Sequence, residues 1–208
     1  MKLRILIFTL FSGLSLGTSA EGYFVGGDIG LNIFPSWVDR ADTAEYGAGA
    51  AYSITSQPAL SFGLGINAGQ WINHVLGWEV GYDNFGSVTG YTTTGGNYAY
   101  AIGNSYQFAS AAYHAEALLG SNSGLFAKVG LYNATTQLAI SHLSISPDKS
   151  SGIFFGMGGR YYSDDSEHFA FRIGVDIYPK VKFSDLSDFT KTTSETITKI
   201  YLGEEYIF

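Results

Sequence analysis

The chain has 208 residues, 14% of them charged and 16% aromatic, with 27 glycines, no cysteine and a formal net charge of −7. The acidic balance excludes nucleic acid as a partner, because phosphate binding needs clustered Lys and Arg, and the absence of cysteine excludes a secreted fold held by disulfides. The length fits one domain, and low charge with abundant aromatics and glycine points to a β protein in an unusual solvent.

The opening MKLRILIFTLFSGLSLGTSA places Lys2 and Arg4 ahead of a mostly apolar stretch from Leu3 to Leu16, followed by the small residues Thr18, Ser19 and Ala20. That is the pattern of a secretory signal peptide cleaved after Ala20. The apolar core is too short to span a membrane as a helix, and a buried N-terminal helix is the alternative. The expected organisation is a signal peptide, 1–20, and one barrel domain, 21–208. No later apolar run approaches the roughly 20 residues of a spanning helix.

From residue 23 onward the hydrophobic pattern has a period of two. In YFVGGDIGLNIF, Tyr23, Val25, Ile29, Leu31 and Ile33 share one face; Phe24, Gly26, Asp28, Gly30 and Asn32 share the other. ALSFGLGINAGQW sets Leu60, Phe62, Leu64, Ile66 and Ala68 against Ser61, Gly63, Gly65, Asn67 and Gly69. After a tight turn at Asn73-His74, LGWEVGYDNF sets Leu76, Trp78, Val80 and Tyr82 against Gly77, Glu79, Gly81 and Asp83. Five more segments alternate in the same way: 108–119, 125–132, 153–162, 169–178 and 198–208. In the last of these Ile200, Leu202, Tyr206 and Phe208 oppose Lys199, Tyr201, Gly203 and Glu205.

Eight strands are therefore expected. Their connections alternate between short (70–75, 120–124, 163–168) and long (34–58, 86–105, 134–151, 179–197). An even strand count with short turns on one rim and long loops on the other describes an all-β, eight-stranded, antiparallel up-and-down transmembrane β-barrel. In hydrocarbon every backbone polar group must be paired, so the last strand is expected to close against the first. A soluble β-sandwich or lipocalin-like barrel produces the same alternation. Polarity separates the two: the face opposite the apolar one is rich in glycine and carries one or two charges per strand, which suits a narrow lumen and not a water-facing surface. A ten-stranded barrel using 45–55 is a further alternative.

The stretch INAGQWINHVLGWEVGYDNF, with Gly69, Trp71, Asn73, Leu76, Glu79, Gly81 and Tyr82, resembles the second and third strands of the eight-stranded outer-membrane barrels related to the transmembrane domain of OmpA. YFVGGDIG, LFAKVGLY and the terminal Tyr206 and Phe208 fit the same pattern. The resemblance implies an integral protein of the bacterial outer membrane, in contact with outer-membrane lipid and lipopolysaccharide. It also implies that Tyr206 and Phe208 are read by the machinery that inserts such barrels. It implies no cofactor and, with nothing following Phe208, no wall-tethering role. Glu204 departs from the pattern: it has lipid-facing parity and is expected near the periplasmic boundary, where a charge costs least.

By parity Glu79, Glu116, Lys128, Arg160, Arg172 and Glu205 face the lumen at similar height, with Asp28, Asp176 and Lys199 farther up. An eight-stranded bore is only wide enough for side chains to fill, so these groups are expected to pair into a salt-bridge network that is either structural packing or an ion gate. His142-Leu143-Ser144 weakly resembles the His-x-Ser of lipid A deacylase barrels, but Ile145 stands where that family has Asn; no catalytic residue is assigned. His114 is expected to join the lumenal network and His74 and His168 to be solvated. The four histidines have no metal-site spacing.

The predicted loop 86–105 is uncharged and rich in Tyr, Thr, Gly and Asn, a composition suited to recognition. Tyr91, Tyr98 and Tyr100, with Trp37 of the first loop, are the candidate recognition residues for a host or neighbouring-cell ligand; the alternative is a solvated loop in lipopolysaccharide sugar. Trp78, Phe85, Tyr161 and Phe169 are expected in the interface girdles. The expected work is surface interaction: adhesion, colonisation or envelope integrity. A narrow channel for small or apolar molecules and a lipid-modifying enzyme are the alternatives.

Overall fold

The structure, a computed structural model, describes residues 22–34, 53–56, 60–73, 75–94, 97–140, 143–144, 146–163, 168–184 and 192–208. For 53–56, 89–94, 97–102, 140, 143–144 and 184 it describes the backbone alone. The expected leader lies outside the described residues. Every regular element among them is a strand: β1 (Gly22–Ile33), β2 (Ser53–Ser56), β3 (Leu60–Trp71), β4 (Leu76–Thr94), β5 (Asn97–Leu118), β6 (Ser123–Ile140), β7 (Leu143–Ser144), β8 (Asp148–Tyr162), β9 (Phe169–Ser184) and β10 (Thr192–Ile207).

Eight of these form a closed antiparallel ring, β1-β3-β4-β5-β6-β8-β9-β10, and return to β1. Closure runs through ten consecutive pairs, from Phe24 opposite Ile207 to Ile33 opposite Thr198. One more bond follows, from the Phe208 amide to the Tyr23 carbonyl at 2.9 Å. Pairing the end strand leaves no open edge in the wall, which hydrocarbon would penalise at every unsatisfied peptide group. β2 and β7 do not enter the ring: β2 lies against the upper part of β4 and β7 against the end of β6. Residues 53–55 of the alternative extra strand therefore sit above the wall, and 45–52 lie outside the described residues.

The turn after β3 shows how the sequence sets the short rim. Asn73 Oδ1 accepts from the amides of Val75 (2.9 Å) and Leu76 (2.7 Å), so the side chain substitutes for a backbone turn partner and starts β4 at Leu76.

Side chains alternate between two environments. Phe62 is 84% exposed and Leu64 68%, while Phe85, Phe108 and Tyr106 are fully buried. The apolar exterior runs around the ring, with Ile29, Ile66, Val80, Val129, Phe155, Ile173 and Leu202 all pointing outward. The expected long loops are shorter than their spacing suggested. β4 continues to Thr94 and β5 begins at Asn97, so most of 86–105 is hairpin, paired from Ser87 opposite Ser105 to Thr94 opposite Asn97. Segments 134–151 and 179–197 likewise become strand extensions over much of their length. A strand needs about 9–11 residues to cross a bilayer; β5 has 22, so roughly half of it stands beyond the hydrocarbon.

Two bulges re-aim the strands where they leave the barrel. In β4, Phe85 and Gly86 together oppose Tyr106, between the pairs Asn84–Gln107 and Ser87–Ser105. Gly86 has φ +71°, and its amide is held by Asn84 Oδ1 at 3.0 Å. This backbone region is open to glycine at little cost, and a Cβ there would run into the Phe62 carbonyl. In β9, Pro179 and Lys180 oppose Thr196, with Lys180 at φ 59°. Each extra residue shifts the inward parity by one, so that Val88 follows Phe85 and Val181 follows Tyr178 into the interior.

Candidate functional site

The lumen is filled in two layers. The lower one is charged. Glu116, Glu205, Glu79, Asp176, Asp28 and Asp83 interlock with Arg160, Arg172, Lys128 and Lys199, so six carboxylates meet four cations. Arg160 bonds Glu116 and lies 3.0 Å from Glu205 Oε2. Arg172 Nη1 reaches Glu205 Oε1 and Glu79 Oε2, each at 3.0 Å. Lys128 Nζ bridges Glu79 (2.8 Å) and Asp176 (2.9 Å). Lys199 joins Asp28 and Asp83. All nine expected lumenal residues occupy this one continuous network, which Asp28, Asp176 and Lys199 extend upward.

The strands set these positions by pleat and register. β4 carries Glu79 and Asp83 two inward positions apart; Asp83 has the same parity as Glu79, which is the signal by which sequence reasoning could have added it. β10 carries Lys199, Tyr201 and Glu205 on its inward face. Tyr201 was also missed as a network member: its ring has Lys199 Nζ at 5.0 Å and Arg172 Cζ and Lys128 Nζ each at 5.2 Å, on the electron-rich π system. Glycines make room for these long side chains: a Cβ at Gly156 would lie 2.6 Å from Lys128 Cε.

Below this centre, His114 is buried against Trp71 and Phe24, with ring centroids 4.3 and 5.9 Å apart. Arg160 lies over Trp71 at 4.6 Å, and the Tyr162 hydroxyl donates to Glu116 at 3.1 Å. The short-turn end is thus floored by aromatic rings packed on ion pairs.

The upper layer is apolar and was not legible in the alternation of the sequence. Phe85 stacks on Phe108 (4.3 Å), Phe154 on Tyr178 (5.0 Å) and Phe34 on Tyr106 (4.5 Å), while Tyr132 meets Tyr178 edge-on at 5.6 Å. The Tyr132 hydroxyl donates to the Pro179 carbonyl, tying the layer to the β9 bulge. Phe85, expected in the interface girdle, is a correction: it shares the inward parity of Glu79 and Asp83 and lies fully buried in the bore. Trp78, Tyr161 and Phe169 do have outward parity, with Tyr161 and Phe169 exposed.

Of the recognition candidates, Trp37 lies outside the described residues. Tyr91 lies on β4 and Tyr98 and Tyr100 on β5, so they belong to paired strands of the protruding hairpin instead of an irregular loop. His74 and His142 lie outside the described residues, and Ser144 lies on β7. His168 is exposed at the short rim, its Nδ1 2.8 Å from the Ile207 carbonyl and its ring stacked on Tyr206. Tyr206 and Phe208 point outward beside it, their rings 5.1 Å apart. Among the described residues no three His, Asp or Glu side chains converge as metal donors.

Solved structures of small outer-membrane barrels share this fold. Neisserial surface protein A superposes with a TM-score of 0.57 at 14% identity, covering 92% of this chain and 100% of that one. The outer membrane protein OprG from Pseudomonas aeruginosa gives 0.57 at 14% identity, covering 92% and 98%. The N-terminal β-barrel domain of Pseudomonas aeruginosa OprF gives 0.54 at 11% identity, covering 91% and 100%. No protein-family model and no curated protein sequence matches the chain. At these identities the shared property is the fold, which is the one the resemblance implied: a closed eight-stranded antiparallel barrel.

Proposed function

We propose that this protein, integral to the bacterial outer membrane, works through its protruding β4–β5 hairpin as a surface-interaction protein, in adhesion, colonisation or envelope contact. The observation that carries the reading is the contrast between bore and hairpin. The bore is occupied by a salt-bridge layer beneath an aromatic layer, which favours a structural lumen over a conducting one. The hairpin extends far past the length that a bilayer requires, on backbone ladders that hold it upright. Its sequence, GSVTGYTTTGGNYAYAIGNS, is uncharged and offers tyrosine contact area with small adaptable polar groups. One neighbour of the same fold is itself a surface protein by name.

The reading assigns no catalytic step. Its test replaces residues 90–102 with a two-residue turn, leaving the ring intact, and compares attachment of cells displaying each form to host-cell and bacterial-cell surfaces. Attachment should fall while heat-modifiable migration, the mark of a folded barrel, is kept. Unchanged attachment with a folded barrel overturns the reading, and a unitary current from wild-type protein in planar bilayers would favour the channel instead.

A further inference from the structure

Glu204 stands on the outer wall, among groups that have no use for a carboxylate. It is exposed, directly opposite Gly27 on β1 and Phe171 on β9. One pleat nearer the short rim, Val25, Tyr206 and Phe169 form the next row, with the Tyr206 and Phe169 rings edge-to-face at 5.2 Å. One pleat farther in are Ile29, Leu202 and Ile173, all exposed and apolar. Glu204 makes no ion pair with another described residue. Gly27 contributes no side chain to this part of the wall, and a shallow, open depression of about 460 Å³ lies between Val25, Gly27, Phe169, Tyr206 and the carboxylate.

Depth decides what reaches it. Glu204 is three residues before the end of β10 at Ile207. At ~3.3 Å per residue and a tilt of ~45°, that is roughly 7 Å along the membrane normal. This is the thickness of the polar headgroup zone on one side of a bilayer, about 5–7 Å. The depression therefore meets the headgroups of the leaflet at the short-turn rim, with apolar wall above it for acyl chains.

We propose that Glu204 and the Gly27 indentation form a lipid site that holds the primary ammonium headgroup of an ethanolamine phospholipid. The charges are complementary. An ammonium brings three donors to a carboxylate that accepts on two oxygens, and charge-assisted bonds of this kind are the stronger class. A quaternary choline headgroup carries the charge but no N–H donor, and a glycerol headgroup carries no cation, so the site selects among phospholipids.

The experiment uses full-length protein reconstituted in nanodiscs of ethanolamine, choline and glycerol phospholipids in equal parts, released into mild detergent and weighed by native mass spectrometry. Wild-type protein should retain an ethanolamine lipid with a preference of about tenfold, the factor that corresponds to about 1.4 kcal/mol. Glu204→Gln should abolish that preference. Gly27→Leu should abolish it too by filling the indentation while leaving the charge; a Cβ there meets only the Gly65 carbonyl, at 3.5 Å. Both substitutions face lipid, and heat-modifiable migration checks that they fold. Equal retention of the three lipids by wild-type protein, an unchanged preference in either variant, or a Glu204-dependent dimer in place of bound lipid overturns the proposal.

Discussion

Arg172 on β9 donates to Glu79 on β4 across 3.0 Å, and in a ring of eight these two strands stand diametrically opposite. The contact spans the bore: a single guanidinium links walls 93 positions apart in sequence. Arg160 and Lys128 make similar bridges at neighbouring heights, so the lower lumen is cross-braced instead of lined.

Glu79→Leu should destabilise the barrel by about 1–3 kcal/mol, because it takes one carboxylate from Lys128, leaving Asp176, and one from Arg172, leaving Glu205 and Asp28, so that buried donors lose a partner. The double variant Glu79→Leu with Arg172→Met should recover a large part of that loss, since two apolar groups replace two charges. Urea unfolding in lipid vesicles, analysed as a double-mutant cycle, checks both; additive losses would argue that the bridge carries no coupling.

Phe85→Ala should cost about 3–5 kcal/mol, as expected for emptying an aromatic from a packed interior. Phe62→Ala on the outer wall should cost far less, because lipid chains take the place of the missing ring and are as apolar as the protein. The same vesicle unfolding assay compares the two. Equal losses would contradict the placement of Phe85 in the bore.

Gly86→Val should weaken the barrel by about 1–3 kcal/mol, since φ +71° is strained for a β-branched residue and the new Cβ meets the Phe62 carbonyl. Gly103→Ala is the control: a Cβ there meets nothing within 4 Å. The bulge also sets the hairpin's inward face, so limited proteolysis of 87–105 should speed up in the Gly86 variant and not in the Gly103 variant.

Tyr206→Ala with Phe208→Ala should reduce the amount of barrel assembled in cells several-fold while leaving the stability of refolded protein within about 1 kcal/mol. Both rings point outward and pack on each other, so they are available to an insertion machinery and add little to the interior. Quantifying folded protein in isolated outer membranes beside refolding yields separates assembly from stability; equal effects on both would remove the insertion role.

Alternation within each of eight segments between Tyr23 and Phe208 was sufficient to read the class of fold and the inward face of each strand up to its bulge, because a pleat has period two and a bilayer tolerates only a closed ladder. The lumenal charges were legible for the same reason: Glu79, Lys128 and Arg172 stand on the glycine-rich face. Parity says which side a residue takes but not whom it meets. The pairing of Arg172 with Glu79, the gathering of three cations around Tyr201 and the aromatic layer around Tyr178 depend on ring closure and strand stagger, which bring distant strands to one height. The predicted loops failed where strand pairing continued through uncharged Thr, Tyr and Gly, since backbone ladders need no hydrophobic pattern once a partner strand is in place. The bulges at Gly86 and Lys180 were equally hidden. A one-residue slip leaves the local composition unchanged and is decided only by the strands across from it.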